Sequence, residues 1–178
     1  IAELGANNII LTTVLPPPQQ TGGKYYRYGV TQDDYENLMA TVPVIERVIP
    51  MREQLKRIFA YGTRQFYGRL VGVTAEYLSL QKMEVDRGHF ITATDVEQAN
   101  KVCVLAPEGA AELFGYEDPI GRAIHIGADF YTVIGVLRSK GAVSEVPGAR
   151  AKQEFARDVH IPITTMWAVS YTHLTLPT

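Results

Sequence analysis

The sequence has 178 residues, of which 46% are hydrophobic and 20% charged, a balance that is ordinary for a folded protein and argues against a disordered chain. Its formal net charge of -2 gives no electrostatic reason for binding nucleic acid or an anionic membrane surface. The single cysteine, Cys103, excludes an intramolecular disulfide, and no apolar run reaches the roughly 18 residues of a membrane span. The chain opens at Ile1 without a charged leader, so we expect its natural start to lie further upstream.

The first third of the chain predicts a strand, a loop and a helix. Residues 8–14 form a β-branched run that is typical of a strand, and proline and glycine dominate the loop at 16–23. A helix is predicted over 31–40, with Thr31 as its N-cap and Pro43 just past its end. The acidic side chains in its first turn are explained better by capping than by metal binding.

The next segment predicts a hairpin and a short helix. Strands at 56–61 and 64–73 are joined by a tight turn at Gly62, and a helix follows at 74–80. Residues 83–90 are predicted to form a turn. Three arginines are expected on the exposed face of the hairpin rather than in a binding strip: Arg57, Arg64 and Arg69.

The second half of the chain alternates strands and turns. A buried strand at 101–106 carries Cys103 as a structural thiol, and a helix at 107–114 is followed by a glycine stop. Strands at 122–126 and 130–137 flank a hairpin turn, and the alternation in the first of them separates its two isoleucines from its histidine.

A last strand is predicted over 158–165, where Pro162 indicates a sheet edge or a bulge. The residues after it, 169–178, resemble the translated end of a sequencing-library adapter, so we expect them to be non-native and leave them out of the fold. Strands outnumber helices throughout, which predicts the α+β class.

Short motifs that mark catalytic, phosphate-binding or metal-binding sites are missing from the sequence. It has no glycine-rich phosphate loop, no His-Glu-x-x-His, no Cys-x-x-Cys and no Gly-x-Ser-x-Gly. The histidines His89, His125 and His160 lie on separate predicted elements, and their spacing does not indicate a zinc site. We therefore predict no catalytic residue, no cofactor, no metal and no binding or hydrolysis of ATP by this chain.

An ordered series of short phrases resembles the extracytoplasmic domain of MacB-type ABC transporter permeases. The phrases are Leu4-Gly-Ala-Asn-Asn-Ile-Ile-Leu11, Val71-Gly-Val-Thr-Ala-Glu-Tyr77, Gly88-His-Phe90, Val102-Cys-Val-Leu-Ala106, Leu113-Phe-Gly115, Pro119-Ile-Gly-Arg122, Tyr131-Thr-Val-Ile-Gly-Val136 and Val159-His-Ile-Pro-Ile163. Each phrase is weak alone, and their order and spacing over about 4–165 carry the resemblance.

The resemblance implies a discontinuous domain. A porter-like α/β lobe would combine residues 1–75 with 151–168, and a β-rich lobe with short helices, 76–150, would be inserted into it. It also implies that the strand at 8–14 shares a lobe with the strand predicted at the end of the chain.

The resemblance further implies a segment on the periplasmic or extracellular side of the inner membrane. There it would transmit the effect of cytoplasmic ATP hydrolysis mechanically to substrate export. The implied partners are a second permease copy, a cytoplasmic ATPase domain or subunit, a periplasmic adaptor and an outer-membrane channel, with no nucleic acid. The alternatives are a secreted or cell-surface binding module with no transport role and a secreted enzyme. A membrane helix encoded just before Ile1 would favour the permease.

Overall fold

The computed structural model describes residues 32–41, 48–139 and 156–171. The chain divides into two compact units, Ile1–Val48 and Ile49–Thr178. Helix α1, Gln32–Thr41, belongs to the first unit and confirms the predicted helix. Its expected cap and stop residues lie outside the described ranges, as do the strand predicted at 8–14, its lobe partnership and the loop at 16–23.

The second unit opens with the predicted hairpin. Strands β1, Arg52–Tyr61, and β2, Arg64–Val73, pair antiparallel across a turn in which Gly62 has φ +57°. Such a positive φ carries little steric cost in glycine, and this explains the tight turn. β1 also contains an irregularity at Lys56, where φ is +56°. The hairpin prediction is therefore confirmed, with β1 starting four residues earlier than expected.

Three short elements follow the hairpin: α2, Tyr77–Leu80, β3, Val85–Gly88, and α3, Ala93–Glu97. The turn predicted at 83–90 is wrong, because β3 pairs antiparallel with β6 there. β3 is mostly exposed and polar, so it lacks the apolar alternation that reveals a strand. α3 begins with a capping box in which Thr92 and Asp95 bond each other's backbone N–H groups.

The elements predicted between residues 101 and 137 are confirmed. They are β4, Val102–Leu105, α4, Pro107–Phe114, β5, Ala123–Ile126, and β6, Asp129–Leu137. In β5 the two isoleucines are buried while Ala123 and His125 are exposed, as the alternation predicts.

The end of the chain differs from the prediction. Strand β7 covers only Asp158–Pro162, and the chain turns directly into helix α5, Ile163–Tyr171. β7 is also not an edge strand, because it lies between β2 and β4 and all five of its residues are buried. Pro162 is tolerated at this central position because it is the last residue of the strand. α5 runs three residues into the segment 169–178, whose adapter origin stays a prediction.

The strands close on themselves. β1 pairs with β2, β2 with β7, β7 with β4, β4 with β6, β6 with β5, and β5 again with β1. Six strands thus form a closed sheet, and β3 extends it along the far half of β6. Closure satisfies the backbone groups that an open sheet would leave at two edges.

Two hydrophobic clusters cover the two faces of the closed sheet. The larger contains alternate residues of all six strands together with Leu113 and Phe114 of α4 and Met166 of α5. The smaller lies on the other face, where Tyr77 of α2 and Phe90 pack over β2 and β4. The described residues therefore form a mixed α and β unit dominated by its sheet.

The closed sheet combines strands from both of the predicted lobes. β2, from the predicted porter-like lobe, and β4 to β6, from the predicted inserted lobe, belong to the same closed sheet. The two-lobe division stays a prediction.

Candidate functional site

A largely buried ion pair joins two neighbouring strands of the described structure. Arg69 of β2 donates to both carboxylate oxygens of Asp158 of β7, from Nε at 3.0 Å and from Nη2 at 2.6 Å. Its Nη1 donates to Glu53 of β1 at 2.9 Å. The Asp158 side chain is 1% exposed and that of Arg69 15% exposed, so the pair is largely shielded from water. We call these three residues the ionic anchor.

The register of the sheet explains why the ionic anchor forms. Arg69 and Asp158 are partners in the parallel pairing of β2 with β7, so their side chains leave the same face at the same level. Both carboxylate oxygens then lie within reach of the planar guanidinium, which favours the bidentate geometry. The anchor therefore joins three strands, and one of them, β7, continues without a loop into α5.

The positive charge of Arg69 is a permanent one. Burial by itself lowers the pKa of Arg69, but the hydrogen bond to Asp158 and the charges of Asp158 and Glu53 more than offset this and raise that pKa above its ordinary value. A guanidinium that never releases its proton cannot serve as a general acid or base. Arg69 is therefore suited to holding strands together and not to proton transfer.

A buried histidine lies on the same face of the sheet. The ring of His160 is 5.8 Å from the ring of Tyr77 and 5.9 Å from that of Phe90. Burial lowers the pKa of His160 to about 4, the positive charge of Arg69 lowers it as well, and a hydrogen bond with the backbone of Val104 opposes both. The ring is therefore neutral near pH 7.

The other residues weighed from the sequence do not converge on a site. His125 is exposed against Phe130, at a ring distance of 3.9 Å, and the exposed His89 contacts the carbonyl of Phe90 through Nδ1. Cys103 is fully buried, which raises the pKa of its thiol and confirms the structural thiol expected there. Among the described residues, no group of three or more His, Cys, Asp or Glu side chains is arranged to hold a metal.

The arginine prediction is correct only in part. Arg64 is exposed, as expected for the hairpin surface, and reaches the Leu113 carbonyl at 3.4 Å. Arg69 was expected on the same exposed face but carries the ionic anchor instead. Its partner lies 89 residues away in sequence, so no local pattern points to the pair.

Two further observations concern a cavity and the helices in the described part of the chain. The cavity lined by Arg57, Tyr131 and Met166, among others, has room for about one water molecule, too little for an organic ligand. None of the helices in the described ranges has the length and apolar character that a membrane crossing requires.

Comparison with known proteins identifies the family. Residues 2–176 match the MacB-like periplasmic core domain, and the match spans nearly the whole chain.

The chain belongs to the MacB-like periplasmic core domain family.

Curated relatives are MacB-type ABC transporter permeases. The chain is 31% identical over 147 residues to the macrolide export ATP-binding/permease protein MacB of Syntrophobacter fumaroxidans, covering 80% of this chain and 20% of that protein. It is 29% identical over 116 residues to the pyoverdine export ATP-binding/permease protein PvdT of Pseudomonas aeruginosa, covering 65% of this chain and 17% of that protein. The chain thus spans about a fifth of the length of these relatives, which are transporters whose names include an ATP-binding part.

Solved structures agree on the fold. The extracellular domain of the noncanonic ABC-type transporter YknZ from Gram-positive bacteria superposes with a TM-score of 0.63 at 20% identity, covering 80% of this chain and 66% of that one. The periplasmic region of MacB from Actinobacillus actinomycetemcomitans gives a TM-score of 0.59 at 22% identity, covering 80% of this chain and 57% of that one. The mixed, sheet-dominated fold of the periplasmic core domain is therefore shared with both.

Proposed function

We propose that this periplasmic core domain is the extracytoplasmic part of an ABC transporter permease and couples ATP hydrolysis in the cytoplasm to export by mechanical transmission. The observation that carries the proposal is the family match over residues 2–176. The domain itself would act as neither an enzyme nor a nucleotide-binding unit, since its constrained polar groups serve to hold strands together.

The closed sheet supports a mechanical role. Force that enters one strand of a closed sheet is shared by the ring, because every strand of the ring is hydrogen-bonded on both sides. β7 is a central strand, and the ionic anchor ties it to β2 and β1. α5 is held in turn by two threonine hydroxyls that donate to backbone carbonyls, Thr164 to Val96 at 2.6 Å and Thr165 to Asn100 at 3.0 Å. A displacement of α5 would therefore move the unit as one body.

The proposed setting follows from the family. We place the domain on the periplasmic or extracellular side of the inner membrane, in a permease that pairs with a second copy of itself and works with an ATPase domain or subunit. A periplasmic adaptor and an outer-membrane channel complete the proposed export path. The discontinuous two-lobe arrangement, with the strand at 8–14 beside the end of the domain, is also part of this proposal.

The side of the membrane is tested by labelling a surface position. Tyr116 is fully exposed beside Gly115, at the end of α4, so a Tyr116→Cys variant of the full-length permease presents a reactive thiol while Cys103 stays buried. We expect a membrane-impermeant maleimide to label this variant in intact spheroplasts, and the protein to stay in the membrane fraction after a carbonate wash. The unsubstituted full-length protein is the control for labelling.

Two results would contradict the proposal. Labelling only after the cells are lysed would place the domain in the cytoplasm. Release of the labelled protein into the soluble fraction would favour a secreted binding module without a transport role.

A further inference from the structure

The surroundings of His160 offer a protonated ring no hydrogen-bond acceptor at Nδ1 and no free anionic group, as far as the described residues show. The residue is 2% exposed, and its Nδ1 has no hydrogen-bond partner among the residues that the structure describes. The hydrogen bond with Val104 therefore uses the other ring nitrogen, Nε2. A protonated ring would carry a buried N–H at Nδ1 without an acceptor, and an unsatisfied buried donor is costly, the more so when it is charged.

The groups around the ring add to this cost. From β2, Arg69 presents a permanent positive charge, and Val71 is the backbone partner of His160. On β7 itself, Asp158 is two residues away on the same face, but both of its oxygens already accept hydrogen bonds from Arg69. β4 contributes the apolar Val104.

The part of the layer that covers the ring is aromatic. The carboxylates that the layer carries, Glu84 and Asp86, are exposed and lie against Arg138 and Arg87. α2 contributes the phenol of Tyr77, whose pKa burial raises above its ordinary value, so it stays uncharged. The segment after β3 contributes the apolar ring of Phe90, and the neighbouring His89 is exposed. Glu53 lies beyond Arg69, to which it is paired.

We propose that His160 is an acid-sensitive latch: protonation of its ring releases the outer layer formed by α2 and the segment 83–91 from the closed sheet. The two aromatic side chains that cover His160, Tyr77 and Phe90, belong to this layer. They are part of the smaller hydrophobic cluster, which also includes Val71 and Val104 of the sheet. Opening of the layer lets water reach the ring, while the larger cluster on the other face stays closed. On the periplasmic or extracellular side, where the proposed function places the domain, protons exchange with the outside of the cell. A fall in the external pH would therefore protonate the ring.

The direction of the pH effect follows from linkage. Burial depresses the pKa of His160 in the closed state to about 4, below its ordinary value of 6.5. The closed state therefore has its full stability above about pH 6.5 and loses stability as the pH falls towards 4. Between pH 7 and pH 5 the opening equilibrium is expected to rise about 20-fold.

Amide hydrogen exchange on the 178-residue chain, corrected for the intrinsic pH dependence of exchange, tests the latch. We expect protection in α2 and in 83–91 to fall about 20-fold from pH 7 to pH 5, with little change in β1 or β5. His160→Phe keeps an aromatic ring between Tyr77 and Phe90 but cannot be protonated, so its protection should not depend on pH. His125→Phe, at an exposed histidine, is the matched control and should keep the wild-type response.

The latch is overturned if protection in the outer layer is the same at both pH values. It is equally overturned if the His160→Phe variant shows the wild-type response. If that variant does not fold, nuclear magnetic resonance of the histidine rings in the wild-type chain decides instead. A His160 ring that becomes protonated near pH 6.5 would refute the latch, and one that stays neutral down to about pH 5 would support it.

Discussion

Replacing Arg69 by methionine is expected to lower the free energy of unfolding by about 3–5 kcal/mol, the range for breaking a buried ion pair by removing one partner. Methionine keeps the aliphatic length of the side chain, but it leaves the carboxylate of Asp158 buried at 1% exposure without its two guanidinium hydrogen bonds. Urea unfolding at pH 7, followed by circular dichroism, measures the loss.

Two further variants make the result specific to the ionic anchor. Arg87→Met removes an exposed arginine whose contact with Asp86 is 3.8 Å, and it should change the free energy of unfolding by no more than about 0.5 kcal/mol. The double variant Arg69→Met with Asp158→Leu removes both charges, so it should recover part of the loss. A loss below about 1 kcal/mol for Arg69→Met would show that the anchor is not needed to hold β7.

Replacing Phe59 by alanine is expected to have an effect of similar size, about 3–5 kcal/mol, for a different reason. Phe59 is fully buried in the larger cluster, and its ring stacks on that of Phe66 at a centroid distance of 5.0 Å. The closed sheet cannot collapse around the missing ring, because hydrogen bonds to β2 and β5 fix β1 on both sides. Thermal and urea unfolding should both report the loss.

The same substitution on the outside of the sheet is the control. Phe130 lies on β6 with 57% of its surface exposed, so Phe130→Ala should cost at most about 1 kcal/mol, through the loss of its contact with the His125 ring. Equal losses at the two positions would contradict the closed sheet, since they would place both phenylalanines in similar surroundings.

Local patterns in the sequence were enough to predict most elements. The hairpin at Gly62, the helix from Pro107 to its glycine stop and the strand at 123–126 each carry turn residues, caps or alternation within a few positions. β3 was missed because its residues are polar and exposed, and it exists only through pairing with β6. Tertiary pairing, and not propensity, forms that strand.

Long-range features were not predictable in this way. Closure of the sheet depends on β6 pairing with both β4 and β5, and the position of β7 depends on parallel pairing with β2, far away in sequence. Pro162 suggested an edge strand, yet its place as the last residue of β7 removes the conflict with a central strand. The ionic anchor depends on the same pairing of β2 with β7. The sequence does not reveal this pairing, and for that reason it predicts Arg69 as a surface residue.

The family was predicted by an ordered set of phrases rather than by any single residue. The phrases at 102–106, 113–115 and 131–136 lie in β4, at the end of α4 and in β6, which are scaffold elements of the closed sheet. Positions of this kind are constrained by packing, and they identify a fold even when no catalytic motif is present.

Mechanical transmission is tested most directly by the distance between the two domains of the permease dimer. Spin labels on Tyr116→Cys in the full-length permease, reconstituted in lipid nanodiscs, report the separation of the two copies by pulsed electron resonance, because Tyr116 is fully exposed and Cys103 is buried. The labels should sample one distance distribution with ADP and a distribution shifted by several ångströms with ATP under conditions that block hydrolysis. Identical distributions in the two nucleotide states would contradict the proposal that this domain moves in response to ATP.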